Sequence, residues 1–427
     1  MKTLLFPSIE DINEILAKRI DDLSEIQMVV SEIVNSVRKN GDESLQKWIN
    51  KFEKYPVPIK DLKVKEEEFM KIDIPNDFEK SLKGFIKRVE NFHKIQLEES
   101  RFIFSENGSF LGFKIQPIKN VGIYVPSGKA PYFSSLVMCA VPAIIAGVER
   151  IAVVTPPDSN GNISPLILKT CSELGIDEVY KVGGAHSIAA LAYGTETIVK
   201  VDKIVGPGNI YVALAKKMVF GDCGIDSVAG PSEIVIIADE SSKTEHIAAD
   251  LLSQAEHDEK AMSILITTSK QVLNEVILEV KKQLEELPVE NRKVAETSIA
   301  NHGVAILTEN FDKAIEISNL IAPEHLEIVT KEPFELLSKI RNAGSIFIGA
   351  LSSEPIGDYG IGPNHVLPTL GNARFSSGLS VSDFLKKMYL TSISKDELDK
   401  IGEELIQLAK YEGLKAHALA IEKRLRG

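Results

Sequence analysis

The chain has 427 residues, 44% hydrophobic and 26% charged, which is the balance of a folded globular protein with room for roughly two to four domains. Its net charge of -12 opposes the electrostatic attraction that drives binding to nucleic acids and to anionic membranes. We therefore expect a small-molecule partner, with no nucleic acid and no membrane among its ligands.

The cysteines and the apolar segments indicate the compartment. Cys139, Cys171 and Cys223 form no close pair and no C-x-x-C motif, a pattern typical of a reducing compartment without structural disulfides. We recognise no secretory signal at the N-terminus. The longest apolar run, 136–148, has 13 residues, fewer than the roughly 20 that a membrane-spanning helix needs. We expect a cytoplasmic protein.

Helical sequence gives way to alternating strand and helix along the chain. The first hundred residues are charged and amphipathic, which predicts helices such as 28–50 and 81–98 with a break at 55–59. From residue 110, short β-branched runs alternate with helical stretches, and this predicts βαβ units and parallel sheets. The predicted strands are 121–125, 151–154, 178–182, 203–205, 234–238, 263–267, 304–308, 327–329 and 345–348.

Two glycine-rich turns, 183–184 and 206–209, lie between predicted strands and helices. A helix that begins at such a turn exposes free backbone N–H groups, which favour phosphate. Neither turn carries the G-x-G-x-x-G pattern of dinucleotide-binding proteins. Simple tight-turn chemistry is therefore the commoner explanation of each turn taken alone.

Polar residues in the second half of the chain form a candidate site. The segment LLSQAEHD at 251–258 places Gln254 and His257 one helical turn apart, so that an amide oxygen and an imidazole nitrogen could bind one metal ion. Such a pair is by itself more often a solvated helix face. Comparable turn, loop and helix-end settings hold Glu324, His325, Asp358, His365, Glu412 and His417. A structural explanation exists for each residue alone, but the joint pattern favours a site.

After residue 383 the sequence again predicts helix, ending in an amphipathic tail at 395–426. In one continuous helix Glu412 and His417 would lie about 140° apart and could not share a site. A helix stop at Gly413 would remove that obstacle.

Six separated segments resemble the histidinol dehydrogenase family, in the same order and over nearly the whole chain. They are VGIYVPSGKAPY at 121–132, VDKIVGPGN at 201–209, AGPSE at 229–233, LLSQAEH at 251–257, APEHLE at 322–327 and GDYGIGPNHVLPT at 357–369, followed by His417 in the tail. The resemblance implies an α/β fold with two Rossmann-like parallel-sheet domains and helical N-terminal and C-terminal parts.

The resemblance also implies a division into four parts. Residues 1–22 would form an N-terminal helical segment, and 23–120 with 236–375 a discontinuous α/β domain that carries most metal and catalytic residues. Residues 121–235 would form the NAD-binding α/β domain. Residues 376–427 would form a helical tail used in dimerisation.

The implied activity is the zinc-dependent oxidation of L-histidinol to L-histidine through bound histidinaldehyde with two NAD, the final steps of histidine biosynthesis. The resemblance assigns one Zn²⁺ per subunit to Gln254, His257, Asp358 and His417. Nitrogen and oxygen ligands suit zinc, and a catalytic zinc keeps coordination positions for substrate.

The catalytic pair implied by the resemblance is His325 as general base and Glu324 as the group that activates water. Adjacent residues on a strand point to opposite faces, so both can serve one site only if Pro323 holds them in a turn.

The resemblance further implies a set of ligand contacts and an assembly. The substrate contacts are Ser232, Gln254, His257, His325, Asp358, His365, Glu412 and His417, and the NAD contacts are Tyr124, His186 and Asn209. At position 186 the family usually has Gln, so this NAD contact departs from the pattern. The implied assembly is a homodimer in which the tail completes the site of the other subunit.

Three alternatives use the same residues differently. A related zinc and NAD alcohol dehydrogenase could act on another small amino alcohol or diol. A cysteine-based aldehyde dehydrogenase would need an accessible thiolate, for which only Cys223 looks suitable in sequence. A metal-binding or scaffold protein without catalytic activity would use the histidines structurally.

Overall fold

A computed structural model describes residues 1–17, 19, 23–127 and 130–426. Positions 18 and 20–22 of the predicted N-terminal segment, positions 128 and 129 of the 121–132 motif, and position 427 lie outside the described residues. The strands are β1 Lys2–Leu5, β2 Arg101–Phe104, β3 Phe110–Pro117, β4 Asn120–Tyr124, β5 Arg150–Thr155, β6 Val179–Lys181, β7 Lys203–Val205, β8 Gly224–Ile225, β9 Glu233–Ala238, β10 Met262–Thr267, β11 Val304–Leu307, β12 His325–Val329, β13 Ser345–Ile348 and β14 Leu385–Ser392.

The α-helices of the described residues range from five to 29 residues in length. They are α1 Ile9–Ala17, α2 Ser24–Phe52, α3 Glu66–Met70, α4 Asn76–His93, α5 Phe133–Ala146, α6 Pro165–Glu173, α7 Gly184–Tyr193, α8 Ile210–Val219, α9 Thr244–Ala255, α10 Lys270–Leu284, α11 Val289–His302, α12 Phe311–Ile321, α13 Pro333–Leu337, α14 Glu354–Asp358, α15 Lys395–Tyr411 and α16 Lys415–Leu425.

Two parallel sheets organise the chain, so the predicted α/β class with two parallel sheets is confirmed. The first sheet has the order β6-β5-β4-β7-β8, and the second has the order β1-β11-β10-β9-β12-β13. All nine predicted strands are present, with ends within two residues of the prediction.

The second sheet shows why its strands are recognisable in sequence. Strands β9 and β10 are buried at every position, as expected for parallel strands covered by helices on both faces. Alternate residues of β9 face different layers: Ile234 and Ile236 pack with α9 and α10, whereas Val235 and Ile237 pack with α1 and α12. Burial on both faces therefore selects a continuous run of apolar residues rather than an alternating one.

The N-terminal region differs from the predicted division in two respects. Residues 2–5 form an edge strand that pairs in parallel with β11, so the N-terminal segment is not entirely helical. Helix α2 packs on α7 and α8 of the first sheet, whereas the prediction groups residues 23–120 with 236–375. Strand β9 begins at Glu233, before the predicted boundary at 236. The domain boundaries themselves stay a prediction.

A third, antiparallel sheet has the order β14-β3-β2. The prediction that helix resumes after residue 383 is therefore wrong at 385–392, where every residue of β14 pairs with β3. Residues about 275 positions earlier in the chain provide that pairing, and local sequence does not reveal it. The tail beyond it is helical and breaks at Gly413, which has a φ of 76°, so the predicted helix stop is confirmed.

None of the described helices combines the length and apolarity required to span a lipid bilayer.

Candidate active site

His325 and Glu324 lie at the beginning of β12 beside a sharp change of chain direction. Helix α12 ends at Ile321, the following Ala322 has a left-handed φ of 50°, and β12 begins only at His325. Glu324 therefore precedes the regular strand alternation, and its Oε2 lies 3.9 Å from His325 Nδ1. The change of chain direction falls at Ala322 rather than at Pro323, and it leaves the two side chains close together.

The hydrogen bonds of His325 define its tautomer. Its Nδ1 lies 2.8 Å from Gln254 Oε1 and 3.2 Å from the carbonyl oxygen of Glu233. Both partners are oxygen acceptors, so Nδ1 carries the hydrogen and Nε2 of the neutral ring has a free lone pair. Burial lowers the pKa of His325 to about 4, so the imidazole is neutral near pH 7 and its Nε2 is unprotonated.

Asp358 ends the short helix α14 and faces three histidines. Its Oδ1 lies 3.2 Å from Nδ1 of His365. Burial alone would raise the pKa of Asp358, but the hydrogen bond from His365 and the positive potential of His365, His325 and His257 together hold that pKa at about 2. Asp358 is therefore an ionised carboxylate at neutral pH.

Glu354, at the first position of the same helix, is a member of the site that the sequence analysis missed. It is 1% exposed, and its Oε1 lies 3.9 Å from His325 Nε2. Burial, together with the charge of Asp358, raises the pKa of Glu354 to about 9. One donor atom each from His325, Glu354 and Asp358 fall within 4.8 Å of one another. No local sequence signal marks Glu354, because it starts a five-residue helix with no pattern of its own.

The donor set around Asp358 fits a divalent cation. Gln254 is fully buried at the C-terminal end of α9, and its Oε1 lies 2.8 Å from His325 Nδ1. His257, one turn further along, is exposed and close enough for its charge to act on both Asp358 and His325. Imidazole nitrogen, amide oxygen and carboxylate oxygen are zinc-compatible donors. Asp358 adds the negative charge that such a cation requires.

The four remaining predicted substrate or metal residues are His365, Ser232, Glu412 and His417. His365 lies close to Asp358, whereas Ser232 lies just before β9 and is partly exposed. Glu412 and His417 are exposed on the tail helices. Within the described part of one chain, no contact joins either tail residue to Asp358 or His325, so the tail does not complete the site of its own subunit in this conformation.

The predicted cofactor residues lie around the carboxyl ends of the first sheet. In the order β6-β5-β4-β7-β8, β5 and β6 lie on one side of β4, whereas β7 and β8 lie on the other. Ligands of open α/β sheets bind at the carboxyl ends of the strands where the order changes side in this way. Tyr124 ends β4, and Gly206 follows β7 with a φ of 116°. A side chain at Gly206 would collide with the carbonyl oxygen of Tyr124. Asn209 caps α8 by accepting the backbone N–H groups of residues 211 and 212.

Both backbone N–H groups of the 183–184 turn have acceptors within the chain. The N–H of Gly183 donates to Glu53 Oε1 at 2.8 Å, and the N–H of Gly184 donates to the hydroxyl of Tyr124 at 3.4 Å. His186 is 2% exposed, with Nε2 3.4 Å from the same Glu53 oxygen. Tyr124 and His186 are thus brought together, and Glu53 is a neighbour that the sequence did not indicate.

A buried ion pair fixes the backbone of the 206–209 turn at Gly206. Lys216 is 2% exposed and forms an ion pair with Asp226. Lys216 Nζ donates to the carbonyl oxygen of Gly206 at 3.0 Å, and the N–H of Gly206 donates to Asp226 Oδ2 at 2.8 Å. Both backbone polar groups of this glycine are therefore fixed by one charged pair.

Tyr132 lies between the first sheet and the residues around Asp358. It follows β4 at the carboxyl edge of the first sheet, and burial together with the charge of Asp258 raises the pKa of its phenol. Tyr132 in turn acts on Tyr359, the neighbour of Asp358. The carboxyl edge of the first sheet therefore lies near the cluster around Asp358.

The cysteines do not form a nucleophilic site. Cys223 is 4% exposed, and burial raises the pKa of its thiol to about 12. The expectation that Cys223 is accessible is wrong, because the residue packs in the core beneath the first sheet. Cys139 and Cys171 are also buried. A thiolate mechanism has no support in this arrangement.

Comparisons with known proteins agree along almost the whole chain. The family model described as histidinol dehydrogenase matches residues 16–425. The chain is 52% identical to histidinol dehydrogenase of Thermotoga maritima, over 98% of both sequences. It is 49% identical to histidinol dehydrogenase of Clostridium acetobutylicum, over 94% of this chain and 93% of the relative. A crystal structure of histidinol dehydrogenase from Elizabethkingia anophelis, 36% identical, superposes with a TM-score of 0.93 and covers 100% of this chain and 98% of that one.

Proposed function

This chain belongs to the histidinol dehydrogenase family, and from that premise we propose that it oxidises L-histidinol to L-histidine with two NAD and one zinc ion per subunit. The balanced reaction consumes one water and yields histidine, two NADH and three protons. These would be the final steps of histidine biosynthesis. The observation that carries the proposal is a neutral His325 whose free Nε2 shares a buried cluster with the ionised Asp358.

His325 acts as the general base in this proposal. Its Nδ1–H is fixed by Gln254 and the carbonyl of Glu233, so Nε2 is the atom that takes the substrate hydroxyl proton. The same nitrogen returns or releases that proton between the two oxidation steps. Because the hydrogen bonds at Nδ1 fix the tautomer, Nε2 can accept and release a proton in both oxidation steps.

Glu324 has the role of activating water against the aldehyde. It is 6% exposed, and burial raises its pKa well above the ordinary value. A carboxylate with a raised pKa is a stronger base than an exposed one and takes a proton from water more readily. Glu324 Oε2 accepts the backbone N–H of Glu233 at 3.1 Å, which fixes the carboxylate within 3.9 Å of His325.

Gln254, His257, Asp358 and the His417 of a second subunit would hold the zinc ion. When bound, zinc supplies a Lewis acid that polarises the substrate oxygen and anchors the substrate amine and imidazole. Asp358 contributes the charge, and His365 orients the carboxylate through the 3.2 Å contact. Ser232, His365 and Glu412 would contact the substrate.

NAD would bind where the strand order of the first sheet changes side, between β4 and the 206–209 turn. Tyr124, His186 and Asn209 would contact it, and NAD would supply the hydride acceptor when bound. Tyr132 lies close enough to the region of Asp358 to influence the pKa of Tyr359.

The exposed tail supports a homodimer with shared sites. Tyr411 is 88% exposed, and Leu408 and Leu419 are more than half exposed. Exposed apolar groups next to Glu412 and His417 suit a surface that another subunit covers. The helix breaks at Gly413. Glu412 and His417 therefore do not belong to one continuous helix, in which they would point in different directions.

Subunit mixing tests the shared site. We expect H325A and H417A subunits to be inactive alone, and their random mixture after exchange to recover about a quarter of wild-type sites, since each heterodimer has one intact site. Exchange itself is measured by co-purification of two differently tagged copies of the protein from the same mixture. No recovery in the mixture, with exchange demonstrated, would show that each subunit uses its own tail.

The activity is tested by the NADH yield per L-histidinol consumed, with zinc, after chelation, and after zinc is restored. We expect two NADH per substrate, lost on chelation and regained with zinc. No NADH from L-histidinol in zinc-loaded protein would favour the second candidate, a related dehydrogenase for another small amino alcohol or diol. The metal cluster favours that candidate over a protein without catalytic activity.

A further inference from the structure

Glu327 is a fully buried carboxyl group that the proposed chemistry does not use. It lies on β12 two residues after His325, so both side chains point to the face of the second sheet that α9 covers. Strands β9 and β13 flank β12 on either side. A carboxyl group in the middle of a buried parallel sheet is costly and needs a compensating function.

One oxygen of Glu327 reaches a different element. Oε1 accepts the backbone N–H of Glu354, the first residue of α14, at 2.7 Å. Asp250 on α9 lies close enough for its charge to raise the pKa of Glu327. Ser253, also on α9, adds a contact from its hydroxyl to Glu354 Oε2 at 3.4 Å.

The elements joined in this way are those that carry the candidate site. Helix α9 carries Gln254 and leads to His257, strand β12 carries His325, and helix α14 carries Asp358. Helix α14 has only five residues, and the N–H of its first residue donates to the side chain of Glu327 in the sheet. The position of Asp358 therefore depends on where Glu327 holds the start of that helix.

The second oxygen of Glu327 leaves the Glu354 contact as the one that fixes this side chain. Oε2 has no hydrogen-bond partner among the described residues, whereas Oε1 accepts the Glu354 N–H at 2.7 Å. Burial, with the nearby charge of Asp250, raises the pKa of Glu327 well above its ordinary value.

We propose that Glu327 is a positioning residue that ties α14 to β12 and so sets the spacing of His325 and Asp358. The inference rests on the proposed function, since that spacing serves the zinc ion and the substrate. Residues that orient metal ligands typically affect metal affinity or activity by about 10- to 100-fold.

Two variants of Glu327 separate hydrogen bonding from mere packing. In E327Q the amide oxygen keeps an acceptor for the Glu354 N–H. In E327M a side chain of similar length lacks that acceptor. S298A is the matched control, because it removes another fully buried hydrogen bond in the second-sheet domain, between α11 and the carbonyl of Ala261.

Three measurements are made on the full-length dimeric or monomeric protein as purified: zinc affinity by competition with a chromophoric chelator, hydrogen exchange of the Glu354 amide, and L-histidinol turnover. We expect E327M to lose about 10- to 100-fold in zinc affinity and to exchange the Glu354 amide faster. E327Q should stay within about threefold of wild type in both, and S298A should change neither.

The proposal would be overturned if E327M bound zinc with wild-type affinity, or if E327Q and E327M lost the same amount of zinc affinity. Failure of the proposed function has a different signature, because wild-type protein itself would then not oxidise L-histidinol or bind zinc. In that case the exchange of the Glu354 amide still decides whether Glu327 holds α14, and unchanged exchange in E327M would overturn the positioning role.

Discussion

The two parallel sheets present their candidate sites at opposite ends of their strands. In the first sheet, Tyr124 and Asn209 lie beyond the carboxyl ends of β4 and β7, where the strand order reverses, as expected for nucleotide-binding α/β folds. In the second sheet, His325 lies at the amino end of β12, and Ser232 precedes β9. Topology alone therefore locates a cofactor site in the first sheet, whereas the second site depends on which side chains are packed together.

The buried charges of the two regions differ in the same way. Below the 206–209 turn, Asp226 is matched by Lys216. Near His325, the carboxyl groups of Glu354, Asp358 and Glu327 are concentrated with no lysine or arginine paired to them among the described residues. A balanced pair fixes a backbone, whereas an excess of buried carboxyl groups is suited to a cation that binds later.

The largest effect we expect is on the second site. H325N should lower kcat by about 10²- to 10⁴-fold, because the general base is removed, while zinc affinity changes little. Steady-state NADH formation and chelator competition measure the two quantities. H302N, at the end of α11, is the matched histidine control and should keep wild-type turnover. Turnover by H325N at the wild-type rate would remove His325 from the chemistry.

At the predicted cofactor site of the first sheet, we expect a substitution to change protein stability rather than turnover. K216M leaves Asp226 buried without its counter-charge and should cost about 3–5 kcal/mol in the free energy of unfolding. The double variant K216M/D226N should recover a large part of that loss, since no unpaired charge remains. Urea denaturation measures the stability, and NADH titration measures binding. A double variant as unstable as K216M would contradict the ion-pair explanation.

The pH dependence of stability tests whether Arg19 fully offsets the burial of the Glu233 carboxyl group. Burial raises the pKa of Glu233 to about 7, although Arg19 lies 2.8 Å away and opposes the shift. Between the ordinary value near 4.5 and 7, the folded state binds more protons at Glu233 than the unfolded state, so this contribution to stability is lost as pH rises through 7. Relative to E233Q, the wild type should lose up to about 3 kcal/mol between pH 4.5 and 8.

That difference is obtained from urea denaturation of both proteins at each pH. A constant gap between wild type and E233Q across this range would mean that Glu233 does not titrate there.

The smallest effect should come from Cys223. The thiol is buried beneath the first sheet, away from both sites, so C223S should keep wild-type kcat and KM and lose no more than about 1–2 kcal/mol of stability. Steady-state kinetics and thermal unfolding measure this. Loss of turnover in a folded C223S protein would revive a thiolate mechanism.

Local sequence predicted much of the fold and part of the site. The nine central strands were recognisable because parallel strands buried on both faces require continuous apolar, β-branched runs. Gly413 marked the helix stop because its φ of 76° favours glycine. The pair Glu324 and His325 was recognisable from the motif that contains it, and the structure brings these two residues together with Gln254.

Tertiary structure decided the features that depend on distant pairing. Strand β14 exists because β3 lies beside it, and β1 because β11 does. Glu53, Glu354 and the pair of Lys216 with Asp226 acquire their roles only when separate elements meet. The sequence by itself determined which residues could carry chemistry and which segments could be buried. Their spacing, tautomers and pKa values were set by the fold, because burial and hydrogen bonding are properties of neighbours that chain order does not specify.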